Sequence, residues 1–129
     1  MLTYKNEYFS SYIHYVKLDL LGNLIYEVTD NGKNLQNAII LQNVVDILEC
    51  ASSPFSSEDS FYVLDNNGDV CKYILHLDKY DIPKNEKIAS SITRIMVINT
   101  FPLQNAGGSV SYVGVTTEGK IIKLSGFAV

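Results

Sequence analysis

The side chains that carry most protein chemistry are few in this chain: His14 and His76, Cys50 and Cys71, and fourteen carboxylates. A structural metal site draws on Cys-x-x-Cys or His-x-x-x-His spacings, and neither occurs. The run Asp65-Asn66-Asn67-Gly68-Asp69 is rich in oxygen ligands. A calcium-binding EF-hand loop, however, needs glycine at its sixth position and a carboxylate at its twelfth, whereas here Gly68 stands fourth, Val70 sixth and His76 twelfth. It reads instead as a hairpin turn. Serine pairs (Ser52-Ser53, Ser56-Ser57, Ser90-Ser91) lack the Gly-x-Ser-x-Gly elbow that exposes a nucleophile. Cys71 with His14 is the best nucleophile–base combination on offer, but Cys71 falls at a hairpin position that suits a structural role. Gly107-Gly108 has no following helix to receive a phosphate. Asp78 and Asp81, and Glu58-Asp59 in a serine-rich loop, read as solvated charge, because no spacing brings two carboxylates into one cleft. The expectation is a protein with no catalytic, metal-binding or cofactor-binding residues, and not an enzyme.

Aromatic residues are the more suggestive set. There are nine tyrosines and five phenylalanines but no tryptophan, and Tyr4, Tyr8, Phe9, Tyr12 and Tyr15 crowd the first fifteen positions. Tyrosine buries a large area and keeps a polar tip, which favours interfaces. Tyr80 lies in the polar run Asp78-Lys79-Tyr80-Asp81-Ile82-Pro83, suited to a displayed loop. The last residues, Leu124-Ser125-Gly126-Phe127-Ala128-Val129, are apolar enough to dock on the core or on a partner. Tyr8, Tyr12, Tyr80 and Phe127 are therefore the candidate partner-binding residues.

The elements that position these groups follow from size and pattern. A chain of 129 residues suggests one domain, able to bury a core without staples. Hydrophobic residues make up 47% and charged residues 19%, which excludes disorder as the main state. No apolar run reaches the length of a membrane helix. The net charge is −4 and Arg94 is the only arginine, which disfavours nucleic acid as a partner. The first residues lack the pattern of a signal peptide. With two cysteines read as reduced thiols, the expected location is the cytoplasm.

Three segments share one pattern. Aligned on Gly22, Gly68 and Gly119, the positions six before are Val16, Tyr62 and Val113. Four before are Leu18, Leu64 and Val115, and two after are Leu24, Val70 and Ile121. Apolar residues at period two on both sides of a glycine turn describe a β-hairpin. Asn67-Gly68 suits a type I′ turn, while Gly22 and Gly119 suit a longer loop ending in a left-handed glycine. Val44 to Leu48 and Ile92 to Met96 precede the second and third hairpins, and Leu2 to Lys5 is the candidate equivalent in the first. The stretch 37–50 reads as two strands around Gln42-Asn43, its β-branched residues outweighing a helical periodicity. Residues 78–87 read as a loop. The chain thus divides into units of about 1–42, 43–90 and 91–129 in a single all-β repeat domain.

The second unit, from Asn43-Val44-Val45-Asp46-Ile47 through Phe61-Tyr62-Val63-Leu64-Asp65-Asn66-Asn67-Gly68-Asp69-Val70, resembles a blade of the RCC1-type β-propeller repeat. The third unit carries a similar stretch and the first only the hairpin. The family's glycine after the first strand is replaced by Glu49-Cys50 and Val97-Ile98, and its Trp-Gly is missing. The resemblance therefore implies a fold and carries over no functional residue. Three blades do not close a propeller, so this fold implies a partial propeller completed by self-association, with a homodimer of six units. A β-trefoil, closed from three repeats in one chain, is the alternative, and a mixed α/β fold a third. The corresponding functions are a non-catalytic protein–protein interaction module that self-associates, a trefoil lectin that binds glycans, or a virus- or phage-encoded inhibitor that binds a host protein.

Overall fold

The computed structural model describes residues 1–51, 53–100 and 109–124. They form eleven strands: β1 (Leu2–Tyr4), β2 (Tyr12–Leu18), β3 (Leu24–Asp30), β4 (Lys33–Leu41), β5 (Val44–Glu49), β6 (Glu58–Asp65), β7 (Val70–His76), β8 (Lys84–Ala89), β9 (Ile92–Thr100), β10 (Ser109–Thr116) and β11 (Ile121–Lys123). The strands make three antiparallel meanders, β1-β2-β3-β4, β5-β6-β7-β8 and β9-β10-β11. The fold is all-β. The sheets are open and do not join into the closed barrel that a trefoil requires. No helix forms among the described residues, so none is long and apolar enough to cross a membrane.

Each hairpin is flanked by a leading strand at the predicted places, β1, β5 and β9, and the first two also by a trailing strand, β4 and β8. The predicted loop over 78–87 is shorter: β8 occupies Lys84–Ala89. Its residues Lys84, Asn85, Glu86 and Lys87 are exposed on the outer edge of the second sheet. A charged edge discourages pairing with stray strands, so its polarity marks an edge strand here. The stretch 37–50 forms β4 and β5, which break at Gln42-Asn43.

The turn chemistry also differs in one place. At Asn66-Asn67-Gly68 only Gly68 has positive φ, +83°. The Gly68 amide donates to the Asp65 carbonyl (3.1 Å), and the Asp65 amide to the Asp69 carbonyl (3.0 Å). This is a type I turn closed by a left-handed glycine, not the expected type I′. The Asp65 carboxylate decides it by accepting the Asn67 and Asp69 amides at 2.8 and 3.1 Å. Asp19 caps the first turn in the same way through the amides of Leu21 and Asn23, both 2.9 Å. Those contacts, led by Asn23, hold the Asp19 carboxyl below its usual range. The two-residue turn with both φ positive occurs instead at Asn31-Gly32, between β3 and β4.

The second sheet is the centre of the molecule. Tyr4, Val16, Leu24, Tyr26 and Val28 of the first sheet pack on Val44, Phe61, Val63, Tyr73, Leu75 and Leu77. On the opposite side, Tyr62, Leu64 and Val70 pack with Ile92, Ile95 and Leu124. Consecutive residues of a strand point to opposite faces. That is why the unbroken apolar run Phe61-Tyr62-Val63-Leu64 is buried throughout: alternate members serve two different cores.

The same junction joins each sheet to the next. The Val44 amide donates to the Gly22 carbonyl, and the Ile92 amide to the Gly68 carbonyl, both at 2.9 Å. The residue before each strand, Asn43 or Ser91, is left-handed, with φ of 59° or 57°. Its carbonyl accepts an amide from its own unit's glycine turn, Asn66 or Thr117, again at 2.9 Å. A Cβ on Gly22 would stand 3.2 Å from the Val44 carbonyl oxygen, and one on Gly68 3.1 Å from that of Ile92. At Gly119, also at φ +83°, nothing among the described residues lies within 4 Å. Gly119→Ala is therefore expected to cost about 1–2 kcal/mol for the left-handed backbone alone. Gly68→Ala is expected to cost about 1–3 kcal/mol more, for crowding against Ile92. Urea denaturation of the two variants measures the difference, and equal costs would contradict the junction's role.

Candidate interaction surface

In a meander, alternate connections emerge at the same end. The β1–β2, β5–β6 and β7–β8 connections therefore gather at one end of the first two sheets. The first is shaped by Asn6. Its carbonyl accepts the amides of Phe9 (3.0 Å) and Ser10 (3.2 Å), and its side-chain oxygen accepts the amide of Tyr8 at 3.1 Å. The Asn6 side-chain amide reaches across to the Pro54 carbonyl at 2.9 Å, tying this loop to the β5–β6 connection.

A second tie runs through Leu77, at the corner after β7. Its carbonyl accepts from the Ser10 hydroxyl at 2.5 Å and from His14 Nε2 at 3.2 Å. Its own amide donates to the Ser57 carbonyl at 2.8 Å. His14 is fully buried between the first and second sheets, with Nδ1 2.8 Å from the Tyr26 hydroxyl. A carbonyl only accepts, so the ring proton sits on Nε2 and Nδ1 accepts from Tyr26. Burial drives the His14 pKa below its ordinary value, against the opposing effects of the Leu77 carbonyl and the nearby Asp78 charge. Burial likewise pushes the Tyr26 hydroxyl pKa up.

Two clefts flank the Asn6 loop. One, of about 430 Å³, lies between Asn6, Tyr8, Ser53, Pro54 and Leu77. The other, of about 370 Å³, runs between Ser10, Ser11, Tyr12 and the Asn31-Gly32 turn. Lys5 and Glu7 line both. The loops carry aromatic tips, with Tyr8 87% and Phe55 88% exposed and Phe9 partly so.

The four candidate residues separate. Tyr8 stands free at the tip. Tyr12 and Tyr80 meet edge to face, with ring centroids 5.8 Å apart, and Tyr12 packs against the first core. Phe127 lies outside the described residues. Phe55 was missed, although a phenylalanine directly after proline in a serine-rich loop has no core to enter.

The groups weighed for catalysis are placed differently. His14 is bonded to Tyr26 and Leu77, while Cys50 is buried and Cys71 half-buried, both as free thiols. Burial raises both thiol pKa values, which disfavours the reactive thiolate. Glu58-Asp59 is not in a loop but opens β6, and Asp59 is buried. Among the described residues, no three His, Cys, Asp or Glu side chains gather as a metal would require. Comparison with protein-family models, curated proteins and solved structures finds no match for this chain.

Proposed function

We propose that the chain is a non-catalytic protein-interaction module, built as an open stack of RCC1-like propeller blades that self-associates through its end sheets. One observation carries this reading. The middle sheet is buried on both faces, whereas among the described residues each outer sheet has a stacked partner on only one. Residues opposite one another across antiparallel strands share a face. On the first sheet the outward face therefore carries Ile13, Tyr15, Lys17, Ile25, Glu27 and Ile39. Lys17 and Glu27 pair there at 2.6 Å, which covers part of the surface without closing it. On the third sheet the outward face carries Arg94, Met96, Val115, Ile121 and Lys123 around a buried Val113. The two faces belong to opposite ends of one stack, so two copies arranged head to tail supply six sheets, within the range that closes a propeller. The aromatic tips Tyr8 and Phe55 then present a second surface to a protein partner.

Light scattering behind a sizing column tests the association. The expected mass is twice 14.4 kDa, falling on dilution. A mass of 14.4 kDa that does not change with concentration would overturn the self-association.

A further inference from the structure

The third glycine turn has the same local form as the first two, and the residues around it match theirs position by position. In the first unit Val16, Leu18 and Leu24 surround the turn, and in the second Tyr62, Leu64 and Val70. Each set receives the leading strand of the next unit. Leu24 and Val70 are fully buried by that contact. The third set is Val113, Val115 and Ile121, of which Val113 is buried, Val115 half-buried and Ile121 63% exposed. The strands received in the first two cases share a chemistry. Asn43-Val44-Val45-Asp46-Ile47 and Ser91-Ile92-Thr93-Arg94-Ile95 each begin with a small polar residue in the left-handed region. A β-branched residue follows, whose amide reaches the preceding glycine carbonyl, and three positions later an isoleucine enters the shared core.

We infer that the Gly119 turn, with Val115 and Ile121, is a capture site for an extended segment of a partner polypeptide. That segment has the sequence form Asn/Ser, then Val/Ile, two further residues, then Ile. The inference rests on reading the chain as an open stack, but not on its forming a dimer. The match to the two internal junctions selects this occupant. The site offers a carbonyl at a left-handed glycine and an apolar floor at the same offsets, and each internal example holds a strand of this type. Strand addition of this kind takes affinity from main-chain bonds and specificity from alternate side chains.

The probe is the acetylated, amidated peptide Gln42–Glu49 of this chain, added in millimolar excess to the full-length ¹⁵N-labelled protein. Saturable shifts are expected at the amides of Gly119, Lys120 and Ile121, and none at Gly32, an equally open left-handed glycine in another turn. A peptide with proline in place of Val44 lacks the required N–H and is expected to bind at least about tenfold more weakly. Ile121→Asp changes an exposed position, so the fold should survive while binding falls by a similar factor. Absence of saturable shifts, equal binding of the proline peptide, or binding unchanged in Ile121→Asp would each overturn the site. Light scattering on the same samples separates the two ideas. A monomer that binds the peptide retains the capture site and removes self-association, and a dimer that still ignores the peptide once diluted to monomer removes the capture site alone.

Discussion

Acidification below about pH 6.5 is expected to destabilise this protein through His14, by up to about 1.4 kcal/mol per pH unit. The unfolded imidazole titrates near its ordinary value of about 6.5, while burial holds the folded one lower. Between those two values the unfolded chain binds a proton that the folded chain does not. Stability from the neutral ring is therefore complete above the unfolded value and is lost as pH falls toward the folded one. The geometry explains why protonation is resisted. A second ring N–H, on Nδ1, would point at the Tyr26 hydroxyl, which already spends its own hydrogen there. Turning that hydrogen away leaves it buried and unpaired, at a cost of about 1–3 kcal/mol. Urea melts at several pH values measure the slope, and His14→Gln should flatten it. In wild-type protein the His14 ring signals should stay fixed by NMR as the pH falls through about 6.5, where an unperturbed imidazole titrates. A normal titration of His14 would defeat the prediction. Tyr26→Phe provides an independent check, because it strands Nδ1 and should cost about 1–3 kcal/mol at neutral pH.

That histidine shows how far the sequence could be read. The repeat was legible because apolar residues at fixed offsets from Gly22, Gly68 and Gly119 repeat the same packing demand. The all-β character followed from alternation and from β-branched residues around Gln42-Asn43. What stayed hidden depends on partners distant in sequence. Nothing near His14 signals that the Leu77 carbonyl, 63 positions away, will accept a hydrogen bond from its ring N–H. Nor do Asn43 and Ser91 advertise a left-handed backbone, which is imposed by the two turns that clamp them. Local pattern misled at β8, where edge exposure permits a polar strand, and at Asn67-Gly68, where the Asp65 carboxylate overrode the preference of Asn-Gly for a type I′ turn. The candidate interaction surface was half legible. Tyr8 and Phe55 are both exposed, but only the clustering of aromatics near Tyr8 drew attention to that surface.

Phe61→Ala and Tyr62→Ala are each expected to cost about 3–5 kcal/mol, although they are neighbours in one strand and serve different cores. Phe61 lies between Tyr4 and Tyr73, with ring centroids at 6.4 and 5.3 Å, in the core shared with the first sheet. Tyr62 packs on Tyr112 at 5.4 Å, in the core shared with the third. Each truncation empties a fully buried aromatic site that surrounding strands, fixed by their hydrogen bonds, can close only in part. A domain of this size has a total stability of roughly 5–15 kcal/mol, so either change removes a large fraction of it. The pair also tests how the sheets depend on one another. If the three sheets fold as one unit, each variant shows a single urea transition, moved to lower denaturant, with β-sheet circular dichroism and tyrosine fluorescence changing together. If the sheets are separable, Tyr62→Ala releases the third sheet early, while the His14 ring signals stay native until a second transition. The continuous burial of Phe61 through Leu64 favours the first outcome. A strand that supplies both cores with alternate residues cannot lose one face without loosening the register that holds the other.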